Sequence, residues 1–301
     1  LNGKNPGSGY ISLGVLIYIK QNQEYKVKYI SICVFTILLL ISCGENQMTY
    51  KASDLSLSSI STKSLQNLSK KTIFFGHQSV GFNIIDGIER VLKNDGRISI
   101  PIMESTNAKD FSPPVFLHFR AGVNTKPESK IKAFENAIKS GIGDLIDIAF
   151  LKFCYIDFDL STNVGALFST YQKTIASLQT NYPDIEFIHF TAPLTTIQKG
   201  PKAWVKKILG RAPYGVQENI KKQEYNELLR KTYSGKEPIF DIAKIESTTP
   251  NGSRITKENN GEIYYALNPD ITNDGGHLNE TGSALVAAEL LKMLSEIDPQ
   301  E

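Results

Sequence analysis

Two short stretches of this 301-residue chain carry side chains that could do chemistry together. Near the C-terminus, Thr272-Asn273-Asp274-Gly275-Gly276-His277-Leu278-Asn279 runs into an apolar helix pattern over residues 283–294. A carboxylate three residues before an imidazole, on a loop that opens a helix, suits Asp274 orienting His277 as a general base. Near the other end, Phe74-Phe75-Gly76-His77-Gln78-Ser79-Val80-Gly81 stops a β-rich run, presents a serine and restarts as a helix pattern. A serine at such a turn exposes its hydroxyl beside a helix N-terminus, which favours developing negative charge. Together the stretches indicate a serine hydrolase. Each also has a plainer reading: Ser79 as a helix cap, Asp274 as turn chemistry, His277 as a helix-end residue.

The elements that must position them alternate. Residues 71–75, 98–103, 145–153, 184–190 and 238–242 read as strands; 82–92, 129–140, 168–178, 217–232 and 280–294 read as helices. Residues 104–127, with Pro113, Pro114, Phe116, His118, Arg120 and Gly122, read as one long irregular segment. Strands separated by helices imply a parallel sheet of about five strands with helices on both faces, in one α/β domain over residues 70–297. Ligands of such sheets sit beyond the carboxyl ends of the strands. Ser79 follows the first strand and Asp274 and His277 follow the last, so both ends of the domain map to that edge.

Composition limits the alternatives. The chain is 41% hydrophobic and 21% charged with a net charge of +2, an ordinary globular mix without the basic stripe that nucleic-acid binding needs. The basic run Lys199, Lys202, Lys206, Lys207 and Arg211 reads as a solvated face or loop, with the rim of an anionic-substrate site as the lesser reading. The four histidines lack metal-ligand spacing, so neither metal nor other cofactor is expected. His118 reads as packed in or lining the long loop, His189 as a strand or core histidine, and Cys154 as a small buried apolar residue.

The N-terminal region concerns address. Residues 1–25, with no Met before Met48, read as an over-extended N-terminus. Residues 26–42 pair a basic flank with an apolar run at 30–41, shorter than a membrane span needs and suited to a signal-peptide core. That run ends Leu40-Ile41-Ser42-Cys43, which resembles a bacterial lipobox. The resemblance implies cleavage before Cys43, acylation of its thiol and a membrane-anchored, extracytoplasmic protein. An unprocessed signal anchor is the plainer reading. Residues 43–69 then read as a flexible tether. With Cys33 removed and Cys43 acylated, Cys154 is left without a disulfide partner.

The domain resembles the SGNH, or GDSL-type, hydrolases. The specific part is Asp274-Gly-Gly-His277-Leu-Asn279-x-x-Gly282, with Ser79 after the first strand; Thr191-Ala-Pro193 and Phe240-Asp241-Ile-Ala-x-x-Glu246 also resemble strand ends of that family. The resemblance implies a three-layer α/β/α, flavodoxin-like sandwich. It also implies metal-free hydrolysis of carboxylic esters, often acyl groups on sugars or lipids, with Ser79 as nucleophile, His277 as base and Asp274 as its orienter. Two departures stand out. His77-Gln78-Ser79 replaces Gly-Asp-Ser, which puts His77 forward as either a structural histidine or a substrate contact. The family's Gly-x-Asn-Asp block is absent from 151–157, so its oxyanion donor must come from elsewhere. Gly122 is expected to supply a backbone N–H, and Asn124 or Lys152 the side-chain donor, with Asp157 offsetting the charge on Lys152. An O-acyltransferase with the same triad and a non-catalytic envelope binding protein are the alternatives to the esterase.

Overall fold

The computed structural model describes residues 49–297. The expectations for residues 1–25, for the signal segment 26–42 and for Cys43 lie outside the described residues. Short apolar runs form the strands β1 (Ile73–His77), β2 (Ile102–Glu104), β3 (Phe116–Arg120), β4 (Ile148–Leu151), β5 (Glu186–Phe190) and β6 (Ile239–Phe240). All six are parallel, in the order β2-β3-β1-β4-β5-β6. β1 and β4 are buried at every position, as central strands of a sheet covered on both sides must be.

The helices are α1 (Thr62–Leu68), α2 (Ser79–Asp95), α3 (Pro127–Ala137), α4 (Val164–Asn181), α5 (Pro201–Ile208), α6 (Val216–Tyr233), α7 (Ile242–Ser247) and α8 (Glu280–Glu296). Apart from α5, they divide between two cores. Phe75, Phe150 and Phe190 point to one face, where α1, α2, α7 and α8 cover them. Phe74, Leu117, Ala149 and Phe187 point to the other, under α3, α4 and α6. Phe74 and Phe75, both at 0% exposure, each stabilise the fold by about 1.5–3 kcal/mol through burial alone. The result is a three-layer α/β/α domain.

Three sequence expectations change. The sheet has six strands rather than about five, because β3 lies inside the segment read as irregular. Its residues are apolar, histidine or arginine in succession, and burial on both faces removes any alternation that would mark a strand. Residues 49–69 are no free tether. Ser61 caps α1 by accepting the Ser64 N–H, and Leu57, Ile60, Leu65 and Leu68 are buried in the first core. Finally, a separate antiparallel hairpin, β7 (Thr256–Asn259) and β8 (Glu262–Tyr265), forms before the last helix. Among the described residues, no helix is long and apolar enough to cross a membrane.

Candidate active site

β1 stops at His77, Gln78 is extended at φ −134°, and α2 begins at Ser79. Ser79 is therefore the first helical residue, and its N–H belongs to the free donors of the helix end. Its Oγ lies 3.4 Å from the buried Cys154 Sγ, at the end of the segment leaving β4. Among the described residues no hydrogen bond joins Ser79 to His277.

The turn before α8 is held from within. Asp274 Oδ2 lies 2.6 Å from His277 Nδ1, while Asp274 Oδ1 accepts the N–H groups of Gly276 at 2.9 Å and His277 at 2.8 Å. Burial would raise the carboxyl. The His277 hydrogen bond, the two amides and the imidazole charge outweigh it and hold Asp274 at about 2. Asp274 is thus an ionised acceptor that assigns the proton to Nδ1 and leaves Nε2 as the basic nitrogen. Gly275 is needed here: its φ is +89°, and a Cβ would strike Thr196 Oγ1.

Two bridges relate this turn to Ser79. The Leu278 N–H donates to Asn83 Oδ1 at 3.3 Å, and Asn83 stands one turn beyond Ser79 on the same face of α2. The Tyr155 ring meets His277 edge-on at 5.3 Å and follows Cys154 in the chain. The Tyr155 phenol is pushed up to about 12 by burial and by the charges of Cys154, Asp274 and Tyr214, so it stays a neutral wall beside the imidazole.

The loop after β3 brings Gly122 and Asn124 to the same edge. Gln78 Nε2 donates to the carbonyls of Ala121 at 3.0 Å and Gly122 at 2.8 Å, so the residue before Ser79 fixes the Gly122 peptide. Gly122 has φ +58°, and a Cβ would lie 2.6 Å from Lys130 N. Asn124 Oδ1 accepts from Lys130 Nζ at 3.0 Å, which turns its amide N–H groups away from the ammonium. Lys130, wholly buried, also pairs with Asp157 Oδ2 at 2.5 Å. Asp157 in turn accepts the N–H groups of Thr125 and Cys154, clamping the Gly122–Asn124 loop to the Cys154 loop.

Two expected site residues are elsewhere. His77 has 0% exposure; Nδ1 meets Gln78 O at 2.9 Å and Nε2 meets His118 Nδ1 at 3.0 Å. Burial pulls its ring down to about 3. Neutral His77 thus donates from Nδ1 and accepts at Nε2, as a buttress beneath the turn rather than a substrate contact. Lys152 also has 0% exposure, and its Nζ donates to Phe153 O at 3.1 Å. Burial draws its ammonium down to about 8. The expected partner Asp157 is taken by Lys130 instead, because Lys130 reaches it from α3. The sequence reading missed Cys154, Tyr155, Asn83 and Lys130 as neighbours of the site. One signal existed: Lys130 sits in register with the buried Pro127, Ile131 and Phe134 of α3, and a lysine on an apolar helix face needs a buried partner.

No protein-family model and no curated protein matches the chain. Solved structures do. A peptidoglycan O-acetylesterase is 11% identical with a TM-score of 0.47, covering 81% of this chain and 97% of its own. The periplasmic domain of a Salmonella ser. Paratyphi A lipopolysaccharide acetyltransferase is 16% identical, TM-score 0.43, covering 82% and 95%. A carbohydrate esterase family 3 protein from Talaromyces cellulolyticus is 9% identical, TM-score 0.41, covering 75% and 98%. These are distant likenesses of fold.

Proposed function

We propose that the chain is a serine esterase that removes acyl groups from a carbohydrate or lipid. The observation that carries this reading is the 2.6 Å Asp274–His277 bond, made by a carboxylate already anchored on two backbone amides, at the sheet edge where Ser79 opens α2. Ser79 Oγ leaves the Cys154 thiol, attacks the acyl carbonyl and passes its proton to His277 Nε2. Asp274 stabilises the imidazolium. The N–H groups of Ser79 and Gly122 and the Asn124 amide donate to the tetrahedral oxyanion. His277 returns the proton to the departing alcohol, and water activated by the same imidazole hydrolyses the acyl-enzyme. Ser79→Ala is expected to abolish hydrolysis of a short-chain aryl ester with the far-UV spectrum unchanged. Turnover at the wild-type rate in that variant would refute the assignment.

The same reading places the enzyme outside the cytoplasm on a lipid anchor at Cys43, supported by the lipobox-like Leu40-Ile41-Ser42-Cys43. A clickable fatty acid should label the wild type and not Cys43→Ser. Equal labelling of both would rule out this anchor.

A further inference from the structure

Helix α5 turns its apolar side to water. Trp204 is 65% exposed, Ile208 62% and Val205 48%, with Leu209 just beyond the helix at 63%, whereas Ala203 is buried. At about 100° per residue, Trp204, Ile208 and Val205 form one exposed stripe, with Trp204 at the edge nearest Ala203 and lining the same cavity. A surface helix of a soluble domain shows the reverse arrangement. Behind α5 lies a cavity of about 640 Å³, lined by Ile197, Ala203, Val216 and Tyr264 among others, so the helix stands off from the domain body.

The charges of the segment that carries the stripe have one sign. Lys202 and Lys206 lie along its Val205 edge, Lys199 and Arg211 stand just beyond the helix ends, and residues 199–211 contain no Asp or Glu. A contiguous exposed apolar patch marks an interaction site. A tryptophan and branched aliphatics on a segment whose charged side chains are all cationic match the boundary of an anionic bilayer, where apolar groups enter the acyl region and lysines reach the headgroups; Glu258, beside Lys257, lines the cavity behind Trp204. The insert carrying α5 is rooted beside the candidate catalytic turn: Thr196 N–H donates to Gly275 O at 2.9 Å, and Gln198 N–H to Tyr214 O at 2.9 Å.

We propose that α5 and Leu209 dock this domain on an anionic lipid surface, with Trp204 and Ile208 inserted and Lys202 and Lys206 against lipid phosphates. The proposal does not depend on the esterase reading, and its test involves no turnover.

Trp204 is the sole tryptophan of the chain, so its emission reports on this patch and on no other membrane-seeking segment. The experiment uses the full chain carrying Cys43→Ser. It is titrated with vesicles of phosphatidylcholine alone and of equal parts phosphatidylcholine and phosphatidylglycerol. The expected result is a blue shift and quenching by brominated acyl chains with the anionic vesicles, suppressed by high salt. Lys202→Glu with Lys206→Glu should weaken that partitioning at least about tenfold, with the far-UV spectrum unchanged. Three results would overturn the proposal. The first is an unshifted spectrum on anionic vesicles, even if the chain co-sediments with them. The second is an equal, salt-independent shift on both vesicle types. The third is a concentration-dependent shift without lipid that accompanies dimerisation, which would give the patch to a second copy of the chain.

Discussion

Asn83 Oδ1 accepts the Leu278 N–H at 3.3 Å, tying the first helix after β1 to the turn that carries Asp274 and His277. A side chain one turn beyond Ser79 thereby sets where the imidazole stands. Asn83→Ala should lower kcat for ester hydrolysis by roughly ten- to a hundredfold with little change in KM, since a misplaced base costs rate rather than binding. Steady-state kinetics on an aryl acetate would show it. An unchanged kcat would mean that the Asp274 hydrogen bonds and the Tyr155 contact position His277 without Asn83.

The Lys130–Asp157 pair separates catalysis from stability. Asn124→Ala removes a neutral donor and should cut kcat by about 10²–10³, and, by removing one acceptor of the buried Lys130 ammonium, should lower the urea midpoint less than Lys130→Met does. Lys130→Met leaves Asp157 charged and buried without its ammonium partner, a change that costs about 3–5 kcal/mol and also frees the Asn124 amide to flip. That variant should lose both stability and kcat. Lys152→Met, by contrast, should retain most of the rate per folded molecule. If Lys152→Met lost more rate than Asn124→Ala, the oxyanion donor would have been misassigned.

The buried histidines make stability depend on pH. Burial lowers the rings of His77, His118 and His189, His77 to about 3, against about 6.5 in the unfolded chain. Between those values the unfolded state binds a proton that folded His77 refuses. Its contribution is therefore complete above about pH 6.5 and declines on acidification by about 1.4 kcal/mol per pH unit. Glu246, pushed up to about 8 by burial, acts with the opposite sign in part of this window. The His77 share is therefore read as a difference between proteins. Urea unfolding at several pH values from 7 to 4.5 should show a shallower acid loss in His77→Gln than in wild type. Identical slopes would contradict the neutral, buried assignment.

What could be read from sequence was local. The strand-to-helix turn at Ser79 and the Asp274-x-x-His277 turn depend on near neighbours, and the fold keeps both, with β1 running on to His77 and α2 starting already at Ser79. Strand β3 was hidden because Phe116–Phe119 is buried without alternation and the strand carries His118 and Arg120, whose partners lie elsewhere in the fold. The segment at 49–69 reads as solvated from its serines and lysines, yet four of its aliphatics, Leu57, Ile60, Leu65 and Leu68, fill the core beside α8. Pairing was the hardest to read. Asp157 lies near Lys152 in sequence, but Lys130, on a helix 27 residues earlier in the chain, reaches it instead.

The most direct measurement is reaction of the full chain with a fluorophosphonate, followed by mass spectrometry of its peptides. A serine activated by His277 should take up one adduct, on Ser79. Ser79→Ala should abolish it and His277→Ala should reduce its rate severely, because the imidazole activates the hydroxyl. A folded protein that forms no adduct, or forms it on another serine, would contradict the account.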